Sequence, residues 1–319
     1  MRKLFALLLV FVLIVPFFIV SAEEAPALVI SEESGGEFRP LPINLDGGSP
    51  LPMQYENGWL YASYEDPTIR VDRYEVEHSE WGATYWYAFV TVKDPSQIRT
   101  ASASENNPFL DSVTIPGYGI ARHKKAVLAI NGDYCASFSG VTESNYVLRQ
   151  GTVYRDEVMK NLDILLIDED GDFHVLTADG TDLAAVDKTQ VNGKKVYNAL
   201  QFGPALVIDG EKVPDEIILD PARSPYFAEP EGRSQRTVLC QIDHLHYMVL
   251  CCAFWGLNLV DMRDLAVSLA PVKTVYVLDG GMSSQIIFLG DWCNAGSNGN
   301  DEARGLTDIV YFASAWFTE

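Results

Sequence analysis

Short apolar runs separated by polar, glycine-containing turns dominate this chain, and that spacing predicts strands far more often than helices. Residues 69–76 and the strongly aromatic 84–92 read as strands. Residues 126–130 read as another, fed by a short helix over 116–125. Segments 161–168 and 173–177 flank Glu169-Asp170-Gly171-Asp172, whose turn chemistry predicts a hairpin. Residues 205–208 end at the tight turn Asp209-Gly210, and 237–242 with 246–252 give a further antiparallel pair. Residues 275–278, 284–289 and 309–312 complete the strands. The clearest helix follows Asn258, a good N-cap, with Leu259, Met262, Leu265, Ala266 and Leu269 on one stripe and Pro271 as its stop. Many hairpins and few helices predict an α+β fold: a mixed, largely antiparallel twisted β-sheet core with a few flanking helices.

The ends of the chain read differently. Arg2 and Lys3 precede an apolar run over residues 4–20, and Val20-Ser21-Ala22 offers small residues before Glu23. Residues 1–22 therefore read as an export signal or, given the length of the run, a retained membrane anchor. Residues 23–54 are rich in Glu, Pro, Gly and Ser and read as a flexible linker. From residue 55 to 319 no comparable linker recurs, which predicts one catalytic-sized domain. The expected location is secreted or cell-surface.

Charge narrows the partners. The formal net charge is −21, and it becomes −23 once the two positive charges of the signal are removed. Such an acidic surface argues against nucleic acid, whose phosphates need a basic footprint. Membrane contact is expected only through the N-terminal segment, and the sequence leaves the oligomeric state open. The five cysteines, Cys135, Cys240, Cys251, Cys252 and Cys293, have no zinc-site spacing and read mostly as small buried hydrophobes. Adjacent Cys251 and Cys252 should face opposite sides of a strand.

Two strands end in an acid or amide with glycine: Asn131-Gly132-Asp133 and Asp279-Gly280-Gly281. Such ends deliver a polar side chain to a sheet edge, and glycine lets a ligand approach the backbone. In order, the chain carries Asp94-Pro95-Ser96-Gln97-Ile98-Arg99-Thr100, Asn131-Gly132-Asp133-Tyr134, Leu148-Arg149-Gln150-Gly151, Phe202-Gly203-Pro204, Arg236-Thr237 and Asp279-Gly280-Gly281-Met282-Ser283-Ser284. In that order and spacing, over about residues 65 to 312, the sequence resembles the phosphodiester glycosidase family, which includes the lysosomal-pathway uncovering enzyme and bacterial envelope proteins. It departs from the family pattern at Met282, where a third glycine is usual, and at Cys135, where an aromatic is common.

The resemblance implies an exported hydrolase that cleaves the bond between a sugar's anomeric carbon and a phosphodiester, on a sugar-phosphate or glycopolymer substrate such as envelope polymer or exopolysaccharide. That chemistry must stabilise an oxocarbenium-like centre, place a water and hold the departing phosphate. Asp279 is the first candidate for the carboxylate, with Asp133 as its partner or a sugar ligand and Asn131 bonding the sugar or orienting water. Either acid would otherwise simply cap its turn. Arg236 suits the phosphate, because a guanidinium binds phosphate oxygens bidentately. The N–H groups of Gly280 and Gly281 with Ser283 could add donors in a nest-like turn. Ser284, Arg149 and Arg304 either line the pocket or are structural.

No metal is required by this reading, although a divalent cation between Asp133 and Asp279 would offset their repulsion of phosphate. His244-Leu245-His246 reads as a hairpin turn, as does the acidic run Asp168–Asp172, which lacks the distal glutamate of a calcium loop. The rival readings are a metal-dependent phosphodiesterase and a non-catalytic envelope protein that binds carbohydrate.

Overall fold

In strands, alternate side chains face opposite sides, and this chain has enough apolar positions to cover both. The computed structural model describes residues 54–56, 59–77, 79–133, 144–223, 230–296 and 302–315. The expected export signal, most of the linker, Tyr134 and Cys135 lie outside the described residues.

A nine-stranded sheet runs in the order Gln54–Glu56, Trp59–Glu65, Ile69–Val76, Tyr85–Val92, His246–Cys252, Thr237–Asp243, Thr274–Leu278, Ala205–Ile208, Glu211–Lys212. A five-stranded sheet runs Asp291–Trp292, Ile286–Phe288, Ala126–Asn131, Asp308–Ala313, Ile98–Ser102. A third sheet is built around Ile164–Asp168 and Lys194–Gln201. Every strand pairing among the described residues is antiparallel. The fold is α+β, with few helices on largely antiparallel sheets, as the patterning predicts.

The sheets stack as layers. Leu239, Val249, Cys251, Tyr276 and Leu278 of the large sheet pack in one core with Leu128, Ile130, Ile286, Val310 and Phe312 of the five-stranded sheet. On the large sheet's other face, Val238, Cys240, Met248, Cys252 and Val277 meet Leu259, Met262, Leu265 and Ala266 of helix Leu259–Leu269. Helix Gly117–His123 covers the outer face of the five-stranded sheet through Ile120 and Ala121. Each fully buried Leu, Val or Ile contributes roughly 1.5–3 kcal/mol, so strands apolar on both faces are driven into the middle of this stack. Cys251 and Cys252 do fall on opposite faces.

Several elements match their predicted bounds: Ile69–Val76, Ala205–Ile208, His246–Cys252, and the helix capped by Asn258, whose side chain accepts from the Asp261 N–H at 2.7 Å. The acidic run is a hairpin turn in which Asp168 accepts from the N–H groups of Asp170 and Asp172, both at 2.9 Å, and Lys194 lies 2.8 Å from Asp170. The strand predicted over 161–168 begins later, at Ile164. Asp163 is drawn out of the ladder, because its carboxylate accepts from the N–H groups of Ala178 and Ala205. Likewise the strand predicted over 284–289 is only Ile286–Phe288, since a 3-10 turn over Gly281–Ser283 precedes it.

Candidate functional site

Two strands from different sheets end side by side. Ala126–Asn131 runs into Gly132 and Asp133, and Thr274–Leu278 runs into Asp279 and the two glycines. The Asp279 N–H donates to the Gly132 carbonyl at 3.2 Å, so the two corners are joined through backbone. Asn131 locks them: its amide nitrogen donates to the carbonyls of Asp279 at 2.6 Å and Gly132 at 3.1 Å. Its amide oxygen accepts from the Thr237 hydroxyl at 2.8 Å and the Gln285 N–H at 3.2 Å. Both amide atoms are committed, and Asn131 is buried. The geometry makes it a clamp rather than a group turned toward substrate.

Behind the corner lies a buried ionic cluster. Asp133 Oδ1 is 2.6 Å from Arg149 Nη2, and its Oδ2 accepts from the Gln201 N–H at 2.7 Å. Arg149 Nη2 also lies 3.5 Å from Asp308 Oδ2, and its Nη1 donates to the carbonyls of Ala199 and Leu148. Neither Asp133 nor Arg149 exposes any side-chain surface. Burial pushes the Asp133 carboxyl up and Arg149 opposes it, while the neighbouring Asp308 charge pushes it further up. Two acids thus face one guanidinium, and Asp133 is the deeper of them. Gly132 admits this cluster, since a Cβ there would sit 2.1 Å from Asp308 Oδ2. Asp133 is closed to solvent, its carboxylate committed to Arg149 and the Gln201 N–H rather than turned toward a sugar. Among the described residues no group of three or more His, Cys, Asp or Glu is arranged to hold a metal ion.

Asp279 forms the outer layer and keeps part of its surface open to solvent. Its Oδ1 accepts from the Gly280 N–H at 2.8 Å, and the Ser283 hydroxyl also bonds the carboxylate. Ser283 Oγ in turn accepts from Nη1 of the exposed Arg304 at 3.2 Å. Burial raises the Asp279 pKa to about 6; Ser283, Arg304 and the Gly280 N–H pull against it, and Asp308 adds to the rise. The site thus presents a carboxylate that titrates close to neutrality, with a guanidinium beyond it.

The nest expected at Gly280 and Gly281 is filled from within. The Gly280 N–H serves Asp279, and the Gly281 N–H donates to the Gln235 carbonyl at 2.9 Å. Gly281 has a φ of +58°, and a Cβ at Gly280 would lie 2.9 Å from the Gln235 oxygen, so both glycines are needed for this tight turn. Arg236 is buried beside the turn, with Nη2 donating to the Gly232 carbonyl at 3.0 Å and Nε facing that of Leu257 at 3.5 Å. Its burial lowers its pKa. Ser284 is buried next to Ser283; its hydroxyl, like the Gln235 side-chain nitrogen, has no hydrogen-bond partner among the described residues.

A family model described as phosphodiester glycosidase matches residues 124–313. The chain belongs to the phosphodiester glycosidase family. The match takes in both corners, the Arg149 cluster and Arg304. This phosphodiester glycosidase fold is shared with the catalytic domain of zebrafish N-acetylglucosamine-1-phosphodiester alpha-N-acetylglucosaminidase, solved auto-inhibited by its pro-peptide. The TM-score is 0.59 and the identity 15%, over 78% of this chain and 85% of that one. It is also similar to a hypothetical protein from Synechocystis, with a TM-score of 0.53 and 14% identity, over 80% of this chain and 64% of that one. No curated protein matches the chain by sequence.

The structure places Asn131, Asp279, Gly280, Gly281 and Ser283 at one corner. Of the two arginines read as either pocket-lining or structural, Arg304 reaches Ser283 and Arg149 is ion-paired with Asp133; Asp308 and Gln201 are not among the residues the sequence singles out. Asp308 did leave a signal: it is a lone acid opening the apolar run Ile309-Val310-Tyr311-Phe312. An acid in that position has to be buried with a partner.

Proposed function

We propose that this chain hydrolyses the bond between a sugar's anomeric carbon and an attached phosphodiester, and that Asp279 is its catalytic carboxylate. One observation carries the reading: Asp279 is the partly open acid at the joined corners, pushed up to about 6 and flanked by Ser283 and Arg304. A carboxylate ionised near neutrality can accept a proton from water and face developing positive charge at the sugar. In the proposed step a water oxygen bonds to the anomeric carbon as the C–O bond breaks. The bond electrons leave with the phosphate, which departs as a phosphomonoester, and the proton from water passes to Asp279 and then to solvent.

Arg304 is assigned to the phosphate. It is exposed and already directed at the Ser283–Asp279 pair, whereas the Arg236 donors described above face backbone carbonyls. Arg236 is better suited to fixing the 232–236 segment against which the glycine turn folds. The substrate class follows the zebrafish enzyme's name, a sugar-1-phosphodiester. The apolar N-terminal run favours an exported protein, for which envelope glycopolymer is the substrate within reach.

The test uses the methyl phosphodiester of N-acetylglucosamine 1-phosphate. Free sugar and methyl phosphate are expected in equal amounts, and Asp279→Asn should lower the rate by at least about a hundredfold. Undiminished Asp279→Asn activity would remove the assignment. Release of methanol together with the sugar 1-phosphate would favour the phosphodiesterase rival.

A further inference from the structure

Six large hydrophobic side chains are exposed among the described residues: Val113, Ile115, Val153, Phe254, Trp255 and Met282. The two aromatic ones are sequence neighbours on the turn that leaves strand His246–Cys252, and Trp255 is 72% exposed. Their ring centroids are 4.8 Å apart with the planes at 67°. Such an edge-to-face pair holds both rings in place while leaving indole surface uncovered.

The backbone beneath them is costly and firmly held. Trp255 has a φ of +58°, a left-handed conformation that residues bearing a side chain rarely adopt. Gly256 enforces the turn, because a Cβ there would meet the carbonyl oxygens of Ala253 and Ser234 and the Cys252 sulfur, all within 2.6 Å. Arg233 braces it, with Nε donating to the Trp255 carbonyl at 3.3 Å and Nη2 to that of Trp81 at 2.9 Å. A strained and braced turn that puts two aromatic rings into water points to a ligand, since neither feature helps the fold.

The turn is continuous with the catalytic corner. Leu257 and Ser234 exchange backbone hydrogen bonds at 3.2 and 3.4 Å, and the next carbonyl, Gln235, receives the Gly281 N–H. Two backbone pairings thus separate the Trp255 turn from the Asp279 turn, roughly 10 Å at ordinary strand spacing. Met282, the next exposed apolar residue, lies on the corner side of that path.

We infer that Phe254 and Trp255 form a stacking platform for a second sugar unit of a phosphate-linked glycan whose scissile bond lies at Asp279. This rests on the glycosidase reading above. A sugar ring offers one face of C–H groups to an aromatic ring and keeps its hydroxyls in water, which suits an indole that is open on one side. Arg233 is committed to the turn itself, its donors facing the carbonyls of Trp255, Trp81 and Gly82 and its Nη1 lying 3.9 Å from Asp261, so the rings rather than a cation define the subsite.

The test compares two probes: the methyl phosphodiester of N-acetylglucosamine 1-phosphate, and a tetramer of N-acetylglucosamine joined by 1,6-phosphodiesters. Trp255→Ala should reduce the preference for tetramer over the single unit, in kcat/KM, by roughly tenfold through KM, and Trp255→Phe should restore most of it. Calorimetric binding of the tetramer to Asp279→Asn, with and without Trp255→Ala, reads the platform without turnover. Loss of tetramer binding in the double variant supports the platform even if neither probe is hydrolysed, a result that would sink only the glycosidase reading. Equal tetramer binding with and without Trp255 overturns the platform. So does a change in oligomeric state by light scattering on Trp255→Ala with tetramer preference intact, which would make the rings a contact between copies of the chain.

Discussion

Replacing Ser283 by alanine removes the hydroxyl that donates to the Asp279 carboxylate while leaving the carboxylate itself in place. A hydrogen bond to a charged group is worth about 1.5–3 kcal/mol, and 1.36 kcal/mol corresponds to one pH unit. The Gly280 N–H and the Arg304 charge remain to hold the ionised form, so the lower end is taken. The Asp279 pKa, now about 6, should move to about 7. The direction is fixed: losing a donor to the ionised form makes ionisation harder. If Asp279 works as a carboxylate, the acid limb of kcat/KM moves up with it. At pH 6 the variant should keep roughly a fifth of the parent's ionised fraction, and its deficit should shrink as the pH rises toward 8.5. The assay is kcat/KM from pH 4 to 9 at constant ionic strength. An acid limb that stays in place or moves down would refute the assignment of the limb to Asp279.

Arg304→Ala should move the same limb upward by less, because the guanidinium is exposed, and the displacement should fade in high salt. Asp279→Asn should stabilise the protein at pH 7 by on the order of 1–3 kcal/mol in urea unfolding. Burial raises this carboxyl above its unfolded value, so its contribution to stability falls as pH climbs from about 4 through about 6; the gain should therefore vanish near pH 4. Arg149→Met strands Asp133 and Asp308 in the interior and should cost about 3–5 kcal/mol in the same assay, less in acid where Asp133 takes up a proton. Gly132→Ala forces a methyl group into the Asp308 carboxyl and should cost at least about 1–3 kcal/mol, seen as a lowered Tm.

What the sequence discloses here depends on whether a residue's surroundings are local. The strands His246–Cys252 and Ala205–Ile208 are continuous apolar runs bounded by turns, so their extent can be read directly. Lys194–Gln201 and Ile98–Ser102 escaped notice because polar residues interrupt them, and their burial is satisfied by distant partners. Gln201 donates to the carbonyls of Met159 and Leu162 and accepts from the N–H groups of Tyr146 and Met159. Thr100 donates to Asn198 across 98 positions. The same limit governs the site. The glycine turns announce where backbone must pass closely, and both corners follow from that. Whether an acid faces water or the interior depends on Arg149, Gln201 and Asp308, which lie 16 to 175 positions from Asp133. Composition around Asp133 carries no trace of them. Arg236 shows the converse: the residue type suits phosphate, but its depth is set by the loop that folds over it.

The most direct measurement is hydrolysis of the methyl phosphodiester of N-acetylglucosamine 1-phosphate in oxygen-18 water, with products read by mass spectrometry and Asp279→Asn as the control. The account predicts label in the sugar's anomeric hydroxyl, none in the methyl phosphate, and no labelled product above background from the control. Label in the phosphate, or an equally active control, would contradict it.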